Sequence, residues 1–291
     1  MKWFYFSILP LLCATKVTLQ GFFSRGKVKT LTDSIKFNGF MFLFSALFLI
    51  IFTVRQLPST QTIFCALVVA LFSVSFQFFY VLAFKTGAVS LSSTIANFGV
   101  VIPIVFSAIA YQEVITTNKI IGFILIALAI ILLPSSKNDK TKSGIKTPKI
   151  WLLYILIATI LNGAVSTIQQ SFSRSAISNE KELFTALIFV FASIYSFLLL
   201  LFVKGKEPLY KNDGKSLIGL GIIGLALGFY NLLAVSALAI IPSAEYFPTV
   251  TGLSILVTVM MSAITFKELP SKKQILGIAV ATVAIVIINL V

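Results

Sequence analysis

The sequence predicts an all-α integral membrane protein of ten transmembrane helices, built as two inverted five-helix repeats. Three observations carry that prediction. The chain is 58% hydrophobic and only 11% charged, whereas soluble domains are about 25% charged. Ten apolar runs approach the length needed to cross a bilayer, which is about 20 residues. A polar joint between two such runs occurs twice, as YQEVITTNK within residues 88–133 and as KELPSKKQ within 243–290. Glu113 aligns with Glu268, Ile120 with Ile275 and Gly122 with Gly277, so a glutamate precedes a glycine by nine residues once in each half.

In chain order, the spans fall at 3–23, 37–54, 62–84, 88–110, 118–134, 150–171, 183–203, 216–239, 243–265 and 272–291. The first is a retained span rather than a cleaved leader, because leucine, not a small residue, precedes Cys13, and many spans follow. Its end, Thr18 to Arg25, matches the end of the sixth span, Thr167 to Arg174, at five of eight positions, including Gln20/Gln169 and Arg25/Arg174. Trp3 and Trp151 open the two halves as aromatic anchors at the membrane edge. The fourth span carries Ser92, Ser93, Thr94 and Asn97 ahead of Pro103. The eighth contains Gly224 and Gly228 at GxxxG spacing, read as close packing inside one chain. The ninth holds Pro248. Between the fifth and sixth runs lies SSKNDKTKSGIKTPK, residues 135–149, the one stretch of linker character. It separates a first repeat, 1–134, from a second, 150–291.

A five-helix unit ends on the opposite side of the bilayer from its start, so its repeat enters upside down. Inverted repeats characterise secondary transporters, which bind substrate between the halves near the midplane. The basic residues, behind a net charge of +14, sit mostly in short loops and read as orientation signals, not as a nucleic-acid face. Loops after odd-numbered spans carry 17 Lys and Arg against five on the other side, which places both termini outside the cytoplasm. The chain has no histidine and two cysteines, so no disulfide framework, metal site or cofactor is expected. A membrane enzyme would want a carboxylate pair, a histidine or a metal set, so the protein is read as not an enzyme. No P-loop pattern points to ATP.

Ten spans, a five-plus-five duplication and an acidic joint before the last span of each half make the chain resemble the drug/metabolite transporter superfamily, and its EamA-type family most closely. The resemblance covers the whole chain and is most specific at Gln112-Glu113 through Gly122 and Lys267-Glu268 through Gly277. The family usually has Gly-Glu at this joint; here Gln112 and Lys267 stand before the glutamates. The resemblance implies a metabolite, amino-acid or drug exporter or exchanger with a central cavity. It also implies termini in the cytoplasm, opposite to the charge count.

Polar side chains inside spans are costly and mark candidate function. Lys16 is the basic residue deepest in a span; snorkelling from it to the far end covers about 13 Å, so a cavity-lining cation for an anionic substrate group is favoured. The candidate cavity set is Lys16, Gln20, Gln77, Tyr80, Ser93, Asn97, Asn162, Gln169, Tyr230, Asn231 and Tyr246. For serines, threonines and aromatics, packing is the competing reading. Glu245 is either a proton-coupling group or an acid at a helix start. Glu113, Gly122, Glu268 and Gly277 are read as hairpin structure, the acids serving free backbone N–H groups of the following helix.

The expected function is a secondary transporter of amino acids or small organic metabolites across the cytoplasmic membrane, by export or exchange. A multidrug efflux transporter and a non-transporting membrane subunit are the alternatives. The expected partners are a small-molecule substrate and the lipid bilayer, with no nucleic acid. A monomer is the default, with a homodimer the other possibility.

Overall fold

In the computed structural model, residues 1–27, 30–53, 57–86, 95–96, 98–132, 149–203, 214–266 and 272–289 are described. They form α1 (Lys2–Lys27), α2 (Leu31–Thr53), α3 (Thr60–Thr86), a 3₁₀ turn (Phe98–Val100) leading into α4 (Val101–Ala110), α5 (Thr117–Leu132), α6 (Lys149–Ser173), α7 (Lys181–Phe202), α8 (Gly214–Leu238), α9 (Ser243–Phe266) and α10 (Lys272–Asn289). Among the described residues there is no strand. The fold is the all-helical membrane architecture of ten helices that the sequence predicts. Five helical segments are each long and apolar enough to cross a bilayer unaided. They lie in α2, α3, α6, α7 and α8.

Local chemistry starts the helices. Thr30 and Asp33 form a reciprocal box at α2: the Thr30 N–H donates to Asp33 Oδ2 at 2.9 Å and the Asp33 N–H donates to Thr30 Oγ1 at 3.1 Å. That box begins α2 six residues before the apolar run from 37 suggests. The fourth span was expected as one helix over 88–110. Its first part, 88–94, lies outside the described residues, and a 3₁₀ turn precedes α4. Pro103 accounts for the tighter turn, since its ring crowds the carbonyl four residues back and it has no N–H to donate. Here the backbones of two helices meet: a side chain on Gly163 would strike the Gly99 carbonyl oxygen at 2.8 Å.

The halves pack through matching pairs. α2 lies against α7, and α5 against α10. The pairing of α1 with α9 corresponds to that of α6 with α4, and α1 with α8 corresponds to α6 with α3. Each of these contacts recurs when every helix is replaced by the one five positions away. The halves run antiparallel: the start of α1 and the end of α6 lie on one face, joined there through the start of α9. Below, this is the N-terminal face.

The GxxxG glycines of α8 pack within the chain, as expected. A side chain on Gly224 would meet Phe44 Cβ at 2.7 Å and the Met41 oxygen at 3.0 Å on α2. Ser45 Oγ donates to the Gly224 carbonyl at 2.8 Å across the same contact. Gly122 lets α5 settle on Ala284 and Ile288 of α10, and Gly277 is buried on α10. Trp3 is exposed, as an edge anchor should be, but Trp151 is buried among Ala83, Ala96, Ile155 and Ala158. Its ring fills the contact between α6, α3 and the segment before α4, so Trp151 is packing rather than the anchor expected. Large apolar side chains such as Ile51, Ile109, Leu201 and Ile264 stand exposed on the outside, the lipid-facing surface of a membrane bundle.

Candidate functional site

Five of the predicted cavity residues converge between α1, α6, α8 and α9. Lys16 is half-buried on α1, and its Nζ stands 5.9 Å from the ring centre of Tyr230 on α8, within cation–π range. Among the described residues no carboxylate pairs with Lys16. The Tyr230 hydroxyl interacts with that of Tyr246 on α9, and Cys13 stands half-buried one turn before Lys16 on α1. Adjacent residues on a helix point about 100° apart, so Asn231 turns from this group toward α6. Its Nδ2 donates to Leu227 O at 3.0 Å, leaving Oδ1 to accept from Gln169 Nε2 at 3.2 Å. Lys16 comes from the first half; Gln169, Tyr230, Asn231 and Tyr246 come from the second. Phe6, Leu9 and Ile104 are among the apolar residues packed around the tyrosine side of the cluster.

The other predicted cavity residues do not all join this cluster. Asn162 lies on the Gln169 face of α6, two turns away, and its Nδ2 donates to Ala96 O at 3.4 Å. Gln77 lines a separate cleft between α2, α3 and α7, with Ser34, Asn38 and Ser196. Tyr80, one turn further along α3, stacks on Phe76 at 5.2 Å beside the Trp151 cluster. Ser93, Asn97 and Glu268 lie outside the described residues, and Gln20 belongs to α1 with its side chain outside them.

Glu245 sits in the first turn of α9, where a helix start favours negative charge. Its Oε1 accepts from Lys2 Nζ at 2.8 Å, and its side chain is 13% exposed. Glu113 fastens its hairpin by accepting from Ser107 Oγ at 3.1 Å. The helix start it serves is not that of the following helix, as expected, but that of α9 in the other half, through the Ser243 N–H at 2.9 Å. The joint doubles back over α4 rather than running straight into α5, which turns the carboxylate toward α9.

Sequence reasoning listed Arg174 as a repeat identity and missed its role. The Arg174 Nη2 stands 2.5 Å from Glu113 Oε1. Its Nε donates to Leu238 O at 3.2 Å and its Nη2 to Ile241 O at 3.4 Å. Its guanidinium carbon lies 4.7 Å from the Tyr111 ring centre. One ion pair thus holds carbonyls at the end of α8 and in the turn after it, and the first N–H of α9. The available signal was the joint recurrence of arginine at 25 and 174 with glutamate at 113 and 268.

A search of curated proteins finds no match. Among solved structures, 28 chains match significantly. One, titled only "Crystal structure of protein", aligns over 97% of this chain and 98% of its own at a TM-score of 0.71 and 13% identity. That likeness shows a shared fold. The sequence pattern of one family matches twice, at residues 5–134 and 149–290. The chain therefore belongs to the EamA-like transporter family.

Proposed function

We propose that this protein is a secondary transporter of the cytoplasmic membrane that exports or exchanges amino acids or small organic metabolites carrying an anionic group. It works by alternating access between its two antiparallel halves, which act as inverted repeats. The observation that carries this reading is Lys16: a cation deep in a helix, without a carboxylate partner among the described residues, against Tyr230 at the contact between the halves. An ammonium group there is a ready partner for a substrate carboxylate or phosphate. The amide pair Gln169–Asn231 and the hydroxyls of Tyr230 and Tyr246 supply neutral donors and acceptors for the rest of a small polar solute.

The test is solute flux in proteoliposomes across a panel of amino acids and small organic anions, with and without an imposed pH gradient. Saturable flux of anion-bearing solutes supports the proposal. Flux that follows the gradient makes Glu245 the next residue to neutralise. Flux confined to hydrophobic cations, or none at all, refutes it.

A further inference from the structure

We infer that the Arg174–Glu113 pair is the gate of the N-terminal face: a latch between the halves that closes the path from that face to the Lys16 cluster and must open once per transport cycle. The inference rests on the transport reading above.

The latch spans four chain segments. Glu113 comes from the joint of the first half; Arg174, Leu238, Ile241 and Ser243 come from the second. Two further polar ties cross between the halves on the same face. Lys2 binds Glu245 at 2.8 Å. Glu180, before α7, accepts from the N–H and the hydroxyl of Ser59, each at 3.0 Å. Both latch side chains are partly shielded, at 19% exposure for Arg174 and 12% for Glu113.

The chemistry suits a contact that breaks and reforms. An apolar seam would expose hydrocarbon on opening. An ion pair at the membrane edge exchanges its partner for water on both sides, and its cost of separation falls as water enters. Gln170 adds an independent observation. It lies one turn before Arg174 on the same helix face and is fully buried, and neither amide atom has a hydrogen-bond partner among the described residues. A buried amide left unpaired opposes the closed state, and water entering past an open latch satisfies it. The closed and open states are thereby brought nearer in energy, as a two-state element requires.

Cys13 is a native reporter, since it is half-buried on α1, one turn before Lys16. In a Cys65→Ser background in proteoliposomes, a membrane-impermeant charged methanethiosulfonate is added to one face at a time. Protease access to a tag on Met1 identifies the N-terminal face. With the latch intact, Cys13 reacts slowly from that face. Glu113→Gln is expected to raise this rate about tenfold, corresponding to about 1.4 kcal/mol in the opening equilibrium, and to lower the rate from the opposite face. Arg174→Lys keeps the charge but loses the guanidinium fork, and gives a smaller change in the same directions.

An N-terminal-face rate unchanged in both variants overturns the gate. So does a rise from both faces together, which marks a lost fold element. The flux panel judges the transport reading separately. Flux with no latch effect on labelling leaves a transporter without this gate, and Cys13 unreachable from either face in every variant likewise overturns the gate.

Discussion

Lys16 and Gln112 are single positions where the backbone or the charge departs from what a membrane helix or turn prefers. Replacing Lys16 with glutamine removes the charge and keeps a polar side chain of similar length. A charge-assisted hydrogen bond contributes about 1.5–3 kcal/mol, so kcat/KM for an anionic solute should fall roughly 10- to 100-fold. Lys16→Arg should retain more activity than Lys16→Gln, and a neutral solute should be indifferent to both. Equal losses for neutral and anionic solutes in the flux assay would point to packing instead. Gln112 has φ of 52°, in the left-handed region, where a non-glycine residue costs about 1–2 kcal/mol. Glycine, which the family usually has here, takes that conformation without strain but loses about 0.5–1 kcal/mol of chain entropy. Gln112→Gly is therefore expected to raise the melting temperature slightly, and Gln112→Val to lower it. The reverse order in a thermal melt would show that the turn relaxes.

Pairs of helices set the next level. α8 approaches α2 closely because Gly224 has no side chain, and Ser45 then reaches its carbonyl. Gly224→Leu must push α2 away from Phe44 and Met41 and break that hydrogen bond. Overpacking costs about 1–3 kcal/mol, and a melt of the purified protein should show the loss. Gly221→Leu is the control, because a side chain there meets nothing within 4 Å. Similar destabilisation by both would place the effect in helix propensity, not packing. α1 and α9 carry the central cation and Tyr246. It is at their meeting with α8 that the cluster forms.

Across the assembled bundle, the antiparallel halves and ten helices put both termini on one face. The charge bias of 17 against five Lys and Arg predicts that this face is extracytoplasmic. Protease added to intact cells should then remove tags from both termini. Protection of both tags until lysis would favour the opposite orientation, which the family resemblance implies.

Composition and periodicity were enough for the helical membrane fold and for eight of the ten helix spans to within four residues. These properties are local: a run of apolar residues must satisfy its backbone inside the bilayer, and a helix is the way a single segment does so. Lys16, Gln169, Tyr230, Asn231 and Tyr246 were also legible as costly polar residues in apolar runs. Which of them meet was not. Gln77 and Tyr80 had equal standing in the sequence, yet α3 turns them to a side cleft and to the Trp151 cluster. The exchange of partners by Glu113, from its own next helix to α9 and Arg174, was equally hidden. Rotation of a helix about its axis and the closeness of segments 60 to 130 residues apart arise from packing between helices, and no local pattern encodes them.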